Sequence, residues 1–178
     1  MGISRATDRA GAIDVLPDAT TPTVLLAEDD ADFRFLVREA FQAAGIKAGI
    51  RLVENGQELL DYLRRDGKYS HRRGPLPRLI LLDLEMPGLG GHATLRQLKA
   101  DRRLQRIPTV ILTSSSSSPE FERAYASGAI SFMTKPDSFK MLVRYVTSLT
   151  HHLQSEGRPS SSEGAVRVRK TGFKPRHK

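Results

Sequence analysis

Apolar residues in this chain fall into two alternating arrangements: short unbroken runs, and longer stretches in which they recur every three or four positions. The runs Thr23 to Ala27 (TVLLA), Ala48 to Val53, Leu79 to Leu82 (LILL), Ile107 to Thr113 (IPTVILT) and Ala129 to Thr134 predict buried strands. Between them, Ala31 to Ala44 carries Phe33, Leu36, Val37, Ala40 and Phe41 at helical spacing until Gly45 ends the pattern. Gly56 to Arg65, with Leu59, Leu60 and Leu63 on one side, predicts a second helix. Gly91 to Leu104 and Pro119 to Ser127 predict two more. Ser138 caps a last helix with an apolar face of Phe139, Leu142, Val143, Val146 and Leu149.

Five strands and five helices thus alternate strictly. The first, third and fourth strands are apolar almost throughout, so both of their faces need cover. A parallel sheet with helices on both faces is the α/β architecture that provides it. Residues 1–22 and 154–178 lack any sustained period and predict flexible tails, which leaves one domain over residues 23–153. Asp66 to Pro77, a basic stretch with Gly and Pro, predicts a loop.

Composition narrows the chemistry. The 178 residues contain no cysteine, which excludes disulfide frameworks, thiolate metal sites and cysteine nucleophiles and fits a cytoplasmic protein. No apolar run is long enough to span a bilayer, so no membrane partner is expected. The formal charge of +8 is uneven: from Ser155 onward seven Lys and Arg stand against Glu156 and Glu163. A tail so composed gives salt-sensitive, sequence-blind attraction to polyanions at most, and nucleic acid is not the expected partner.

In an open parallel sheet, ligands bind beyond the carboxyl ends of the strands. Those ends are all polar here: Glu28, Asp29 and Asp30 after the first strand, Asp83 after the third, Thr113 after the fourth, and Lys135 after the fifth. Asp30 reads as a helix cap. Converging carboxylates repel one another unless a hard divalent cation holds them, and Mg²⁺ is the expected occupant. Asp83, with a metal on one flank and Lys135 and the Thr113 hydroxyl on the other, has the surroundings of a carboxylate nucleophile in phosphoryl transfer. The five histidines, His71, His92, His151, His152 and His177, have no metal-site spacing.

The segments LLAEDD, LLDLEMPGLGG, VILTSS and FMTKP, in this order and spacing, resemble the response-regulator receiver family over Thr23 to Leu153. The resemblance implies a flavodoxin-like sheet of order 2-1-3-4-5. It implies that Asp83 accepts a phosphoryl group from the phosphohistidine of a sensor histidine kinase. It implies further that Asp29, Asp83 and the backbone carbonyl of Glu85 bind Mg²⁺, with Glu28 acting through water. Thr113 would contact the phosphoryl group, Lys135 would pair with it, and Phe132 would be the aromatic switch that follows Thr113. Such a chain is a phosphoacceptor signalling domain rather than an enzyme with a separate substrate. The loop Asp66 to Pro77 is similar to that of the small stand-alone receivers that partner phytochrome kinases. The face of the fourth helix, fifth strand and last helix is the expected contact surface, including for a homodimer. The Lys135-Pro136 peptide matches one that is often cis in the family, and the sequence leaves its isomer open. At Glu85, where relatives vary, an acid is expected to alter the lifetime of the aspartyl phosphate.

Two other functions fit parts of the pattern. Asp83-Leu84-Glu85 superficially resembles the Asp-x-Asp of Mg²⁺-dependent aspartate-nucleophile phosphatases, but that reading gives Glu28-Asp29-Asp30 no part. The basic tail fits nucleic-acid binding, but no recognised reader accompanies it.

Overall fold

The computed structural model describes residues 23–46, 49–114 and 125–155. Along the chain run β1 (Thr23–Ala27), α1 (Ala31–Ala43), β2 (Gly49–Val53), α2 (Gly56–Arg64), a 3₁₀ turn (Gly67–Tyr69), β3 (Leu79–Asp83), α3 (Gly91–Ala100), β4 (Thr109–Thr113), β5 (Ser131–Thr134) and α4 (Phe139–Ser155). The strands form one wholly parallel sheet in the order β2-β1-β3-β4-β5, as expected. The two predicted tails lie outside the described residues. So does most of the helix predicted over Pro119 to Ser127, of which Tyr125 and Ala126 are described and helical.

Because side chains alternate across a strand, each central strand feeds two cores. Leu25, Ile80, Leu82 and Ile111 pack with Leu59, Leu60 and Leu63 of α2 and Leu95 and Leu98 of α3. On the other face, Val24, Leu26, Leu79, Leu81, Val110 and Leu112 pack with Val37, Ala40 and Phe41 of α1 and Leu142 and Val146 of α4. Every residue of β3 and β4 is buried, and each leucine so enclosed contributes roughly 2 kcal/mol of transfer free energy. The edge strand β5 is only half covered.

Local chemistry sets the helix boundaries. The Asp30 side chain accepts the amides of Asp32 and Phe33 at 2.8 and 3.2 Å, capping α1. Gly45, at φ +62°, follows its last turn. Asn55 caps α2 by accepting the Glu58 amide at 2.9 Å. Ser138 stands before α4 with its hydroxyl 3.4 Å from the Met141 amide.

Several expectations need correction, and the fifth strand begins at Ser131 rather than Ala129. The third helix ends at Ala100, not Leu104, because Asp101 turns to extended backbone and its carboxylate takes the Arg103 amide at 2.9 Å. That bond offers the chain an alternative to the helical ladder. The fourth strand begins at Thr109 rather than Ile107, since Pro108 has no N–H to give the sheet. Leu36 and Phe139, assigned to apolar faces, are exposed, at 41% and 43%.

Candidate functional site

Register brings the four polar strand ends together. Ala27 pairs with Leu82, Asp83 with Leu112, and Thr113 with Thr134, so Glu28, Asp83, Thr113 and Lys135 emerge side by side at one rim. Asp83 is the last residue of a fully buried strand and is only 1% exposed. A carboxylate so enclosed needs partners. The Lys135 ammonium donates to its Oδ2 at 2.9 Å, and the Glu85 amide donates to its Oδ1 at 3.2 Å.

The same ammonium donates to Glu28 Oε1 at 2.9 Å. Glu28 is fully buried and also takes the Asp30 amide on Oε1 at 3.2 Å. Its other oxygen, Oε2, lies 2.8 Å from Lys135 Nζ, yet it is buried and makes no hydrogen bond. Burial pushes the Glu28 carboxyl up to about 7; the Lys135 hydrogen bond opposes this and the Asp83 charge reinforces it. Burial also works against the Lys135 charge, but the two carboxylates outweigh it and hold the ammonium above its ordinary range. One cation cannot neutralise two carboxylates. The ammonium stands 4.9 Å from the centre of the Phe33 ring, a cation–π contact that further fixes it.

Asp29 completes the acidic group. One carboxylate oxygen from each of Glu28, Asp29 and Asp83 lies within 4.8 Å of the others, and Asp29 is exposed to solvent. Three carboxylates against one ammonium leave two uncompensated negative charges when all are ionised. The donors are hard oxygens. All three lie within 4.8 Å of one another, a span that an octahedral Mg²⁺, with opposite oxygens ~4 Å apart, can bridge. The residues present fit a hard divalent cation.

Thr113 is fully buried, and its carbonyl accepts the Lys135 amide at 2.9 Å. Glu85 is exposed and touches Asp83 through its backbone N–H. Phe132 lies in β5, half-buried against the α2–α3 side of the core, with its ring edge-on to Tyr125 at 4.5 Å. No described peptide bond is cis, so Lys135-Pro136 is trans.

Sequence reasoning missed two contributors. Phe33 counted only as a core residue, though it faces the ammonium. Arg34 was not singled out, although its Nη1 donates to the carbonyls of Glu28 at 2.7 Å and Asp29 at 2.8 Å. Nothing in the local pattern distinguishes that arginine from a solvated one; only its distance back to the β1–α1 turn does.

Glycine permits the close approach of α3. A Cβ on Gly91 would stand 2.1 Å from the Asp83 carbonyl oxygen and 2.6 Å from the Leu84 Cα. The start of α3 therefore rests directly on the backbone that carries Asp83.

Comparison with known proteins agrees with this geometry. The chain is 38% identical over 141 residues to the probable methanogenesis regulatory protein FilR2 of Methanothrix harundinacea, covering 78% of this chain and 88% of that relative. It is 29% identical over 136 residues to response regulator Rcp1 of Synechocystis, covering 75% and 91%. The phosphorylated cyanobacterial phytochrome response regulator RcpA superposes with a TM-score of 0.70 at 29% identity, covering 79% of this chain and all of that one. A Mn²⁺-bound form of response regulator Rcp1 superposes with a TM-score of 0.66, also at 29% identity, covering 74% and 94%. The response regulator receiver domain model matches residues 24–147, and with the strand order and acidic rim already described, this chain belongs to that family.

Proposed function

We propose that the chain is a stand-alone receiver, folded over residues 23–153, that takes a phosphoryl group from a sensor histidine kinase onto Asp83. The observation that carries this reading is the Lys135 ammonium bridging Glu28 and Asp83, with Asp29 alongside. An Asp83 carboxylate oxygen attacks phosphorus in line with the P–N bond of the donor phosphohistidine. The O–P bond forms as the P–N bond breaks, and the electron pair stays on the imidazole nitrogen. Asp29, Asp83 and the Glu85 carbonyl would hold Mg²⁺, with Glu28 acting through water, and the ion would supply charge neutralisation for the phosphoryl oxygens.

The protein's own part is positioning and electrostatics. Glu85 N–H and Lys135 fix the rotamer of the nucleophile, and Lys135 brings positive charge to the transferred group. The Thr113 hydroxyl donates to a phosphoryl oxygen, and Phe132 follows its movement. Phosphorylation thereby shifts the chain between two surface states.

RcpA supports a phytochrome-type kinase as partner. The face bearing β5 and α4 is the proposed contact surface, and a homodimer through it is one outcome. The test is to incubate the chain with phosphoramidate and Mg²⁺ and read intact mass. The parent gains one phosphoryl group and Asp83→Asn gains none; a folded parent without the adduct overturns the reading.

A further inference from the structure

We propose that Arg34 is a positioning residue for the metal-binding acids, acting through the backbone of the β1–α1 turn. This rests on the reading of Glu28 and Asp29 given above, and it assigns a function to a side chain outside the acidic cluster. Arg34 leaves the first turn of α1 and runs back beneath the turn, where its side chain is 16% exposed. One guanidinium nitrogen spans two consecutive carbonyls, Glu28 O at 2.7 Å and Asp29 O at 2.8 Å, while the other reaches Glu54 Oε1 at 3.3 Å.

The two carbonyls belong to the peptide planes on either side of the Asp29 Cα. Holding both planes fixes the direction of the Asp29 Cα–Cβ bond, and holding the first also fixes Glu28. The rest of the turn is tied at its ends: the Glu28 amide donates to Val53 O at 3.1 Å, and the Asp30 carboxylate takes the amides of Asp32 and Phe33. Between these anchors the Asp30 amide donates to Glu28 Oε1 at 3.2 Å, and the two carbonyls themselves are held, among the described residues, by Arg34.

Asp29 needs such a support. Its carboxylate is exposed and makes no hydrogen bond of its own among the described residues, so its place beside Glu28 and Asp83 is set by backbone direction. Glu28, in contrast, is already held by Lys135. Loss of Arg34 therefore frees Asp29 first and weakens divalent binding, while Asp83 keeps its own two hydrogen bonds. A lysine ammonium carries donors enough for both carbonyls, but it sits one bond nearer the backbone and has no second nitrogen for Glu54, so it reproduces the hold only in part.

The experiment is a Mg²⁺ titration by calorimetry without any phosphodonor, on the parent, Arg34→Ala and Arg34→Lys. Hydrogen–deuterium exchange at the amides of residues 28–30 and thermal unfolding are read beside it. Arg34→Ala is expected to bind Mg²⁺ about 10-fold more weakly or worse, as for other groups that orient a metal ligand. Exchange at the turn should quicken, and Arg34→Lys should recover only part of the affinity. Parent-like affinity in Arg34→Ala, or full recovery in Arg34→Lys, overturns the proposal. Should the alanine variant unfold, the lysine variant alone decides it, weaker binding supporting the proposal and equal binding sinking it. A parent that binds no Mg²⁺ counts against the metal reading under the proposed function; the clamp is then decided by exchange at residues 28–30, and unchanged exchange rejects it.

Discussion

Asp83 shows how a buried acid is tolerated at the end of an apolar strand: each oxygen has a donor, one from a lysine 52 residues away in sequence and one from the next amide but one. Glu85 lends its backbone N–H to that arrangement, and its side chain is exposed. An anionic group there repels or orients the water that hydrolyses an acyl phosphate. Glu85→Asn and Glu85→Ala are expected to change the half-life of phosphorylated Asp83 several-fold in excess Mg²⁺, followed by loss of the intact-mass adduct. Decay at the parent rate in both would leave Glu85 without that role. Of the acids and the lysine at this rim, all were legible from strand-end position. Arg34 was not, since its partners are backbone carbonyls, which carry no residue-type signal.

Among the elements, the loop after α2 uses its charge locally. Glu58 accepts the Glu54 amide at 2.7 Å and the Tyr69 hydroxyl at 2.7 Å, and the Lys68 ammonium pairs with it. Burial raises the Glu58 carboxyl, but these three donors outweigh it and hold it below the usual range. A carboxyl lowered in the folded state contributes stability that is complete above its unfolded value and lost as pH falls through its folded one. Urea midpoints measured between neutral pH and about pH 3.5 should fall less steeply in Glu58→Gln than in the parent. At neutral pH that variant should be about 1 kcal/mol less stable. Tyr69 packs edge-on to Tyr62 at 5.1 Å, and the guanidinium of Arg72 sits 4.2 Å over the Tyr62 ring. The stretch read as a basic loop is thus partly a packed one, with Tyr69 buried.

Gly91 belongs to the same scale, because it decides how closely α3 approaches β3. Its would-be Cβ meets backbone atoms rather than a flexible side chain, so Gly91→Ala must displace either the helix or the Asp83 carbonyl. A loss of roughly 1–3 kcal/mol is expected from overpacking, read by denaturant unfolding. On the proposed function, phosphorylation by phosphoramidate should slow with it, because the strain falls on the Asp83 backbone. Parent-like stability and rate together would show that α3 moves freely at this point.

In the whole molecule, two cores on either side of one sheet hold the rim. A chain cut to residues 23–153 is expected to keep the unfolding midpoint of the full chain within a few degrees and to accept the phosphoryl group at Asp83. Loss of either on trimming would place part of the working unit in the ends. No helix among the described residues is long and apolar enough to cross a membrane. The sequence alone determined the alternation of strands and helices, the parallel sheet and the identity of the strand-end acids. Each follows from local periodicity and from the burial that periodicity demands. Tertiary structure decided the rest. It set where α3 stops and how tightly it seats on Gly91. It also set that one lysine bridges Glu28 and Asp83, and that Arg34 turns back on the β1–α1 carbonyls. Those outcomes depend on distances between segments remote in sequence, and on backbone groups every residue shares, so no pattern of side-chain types along the chain encodes them.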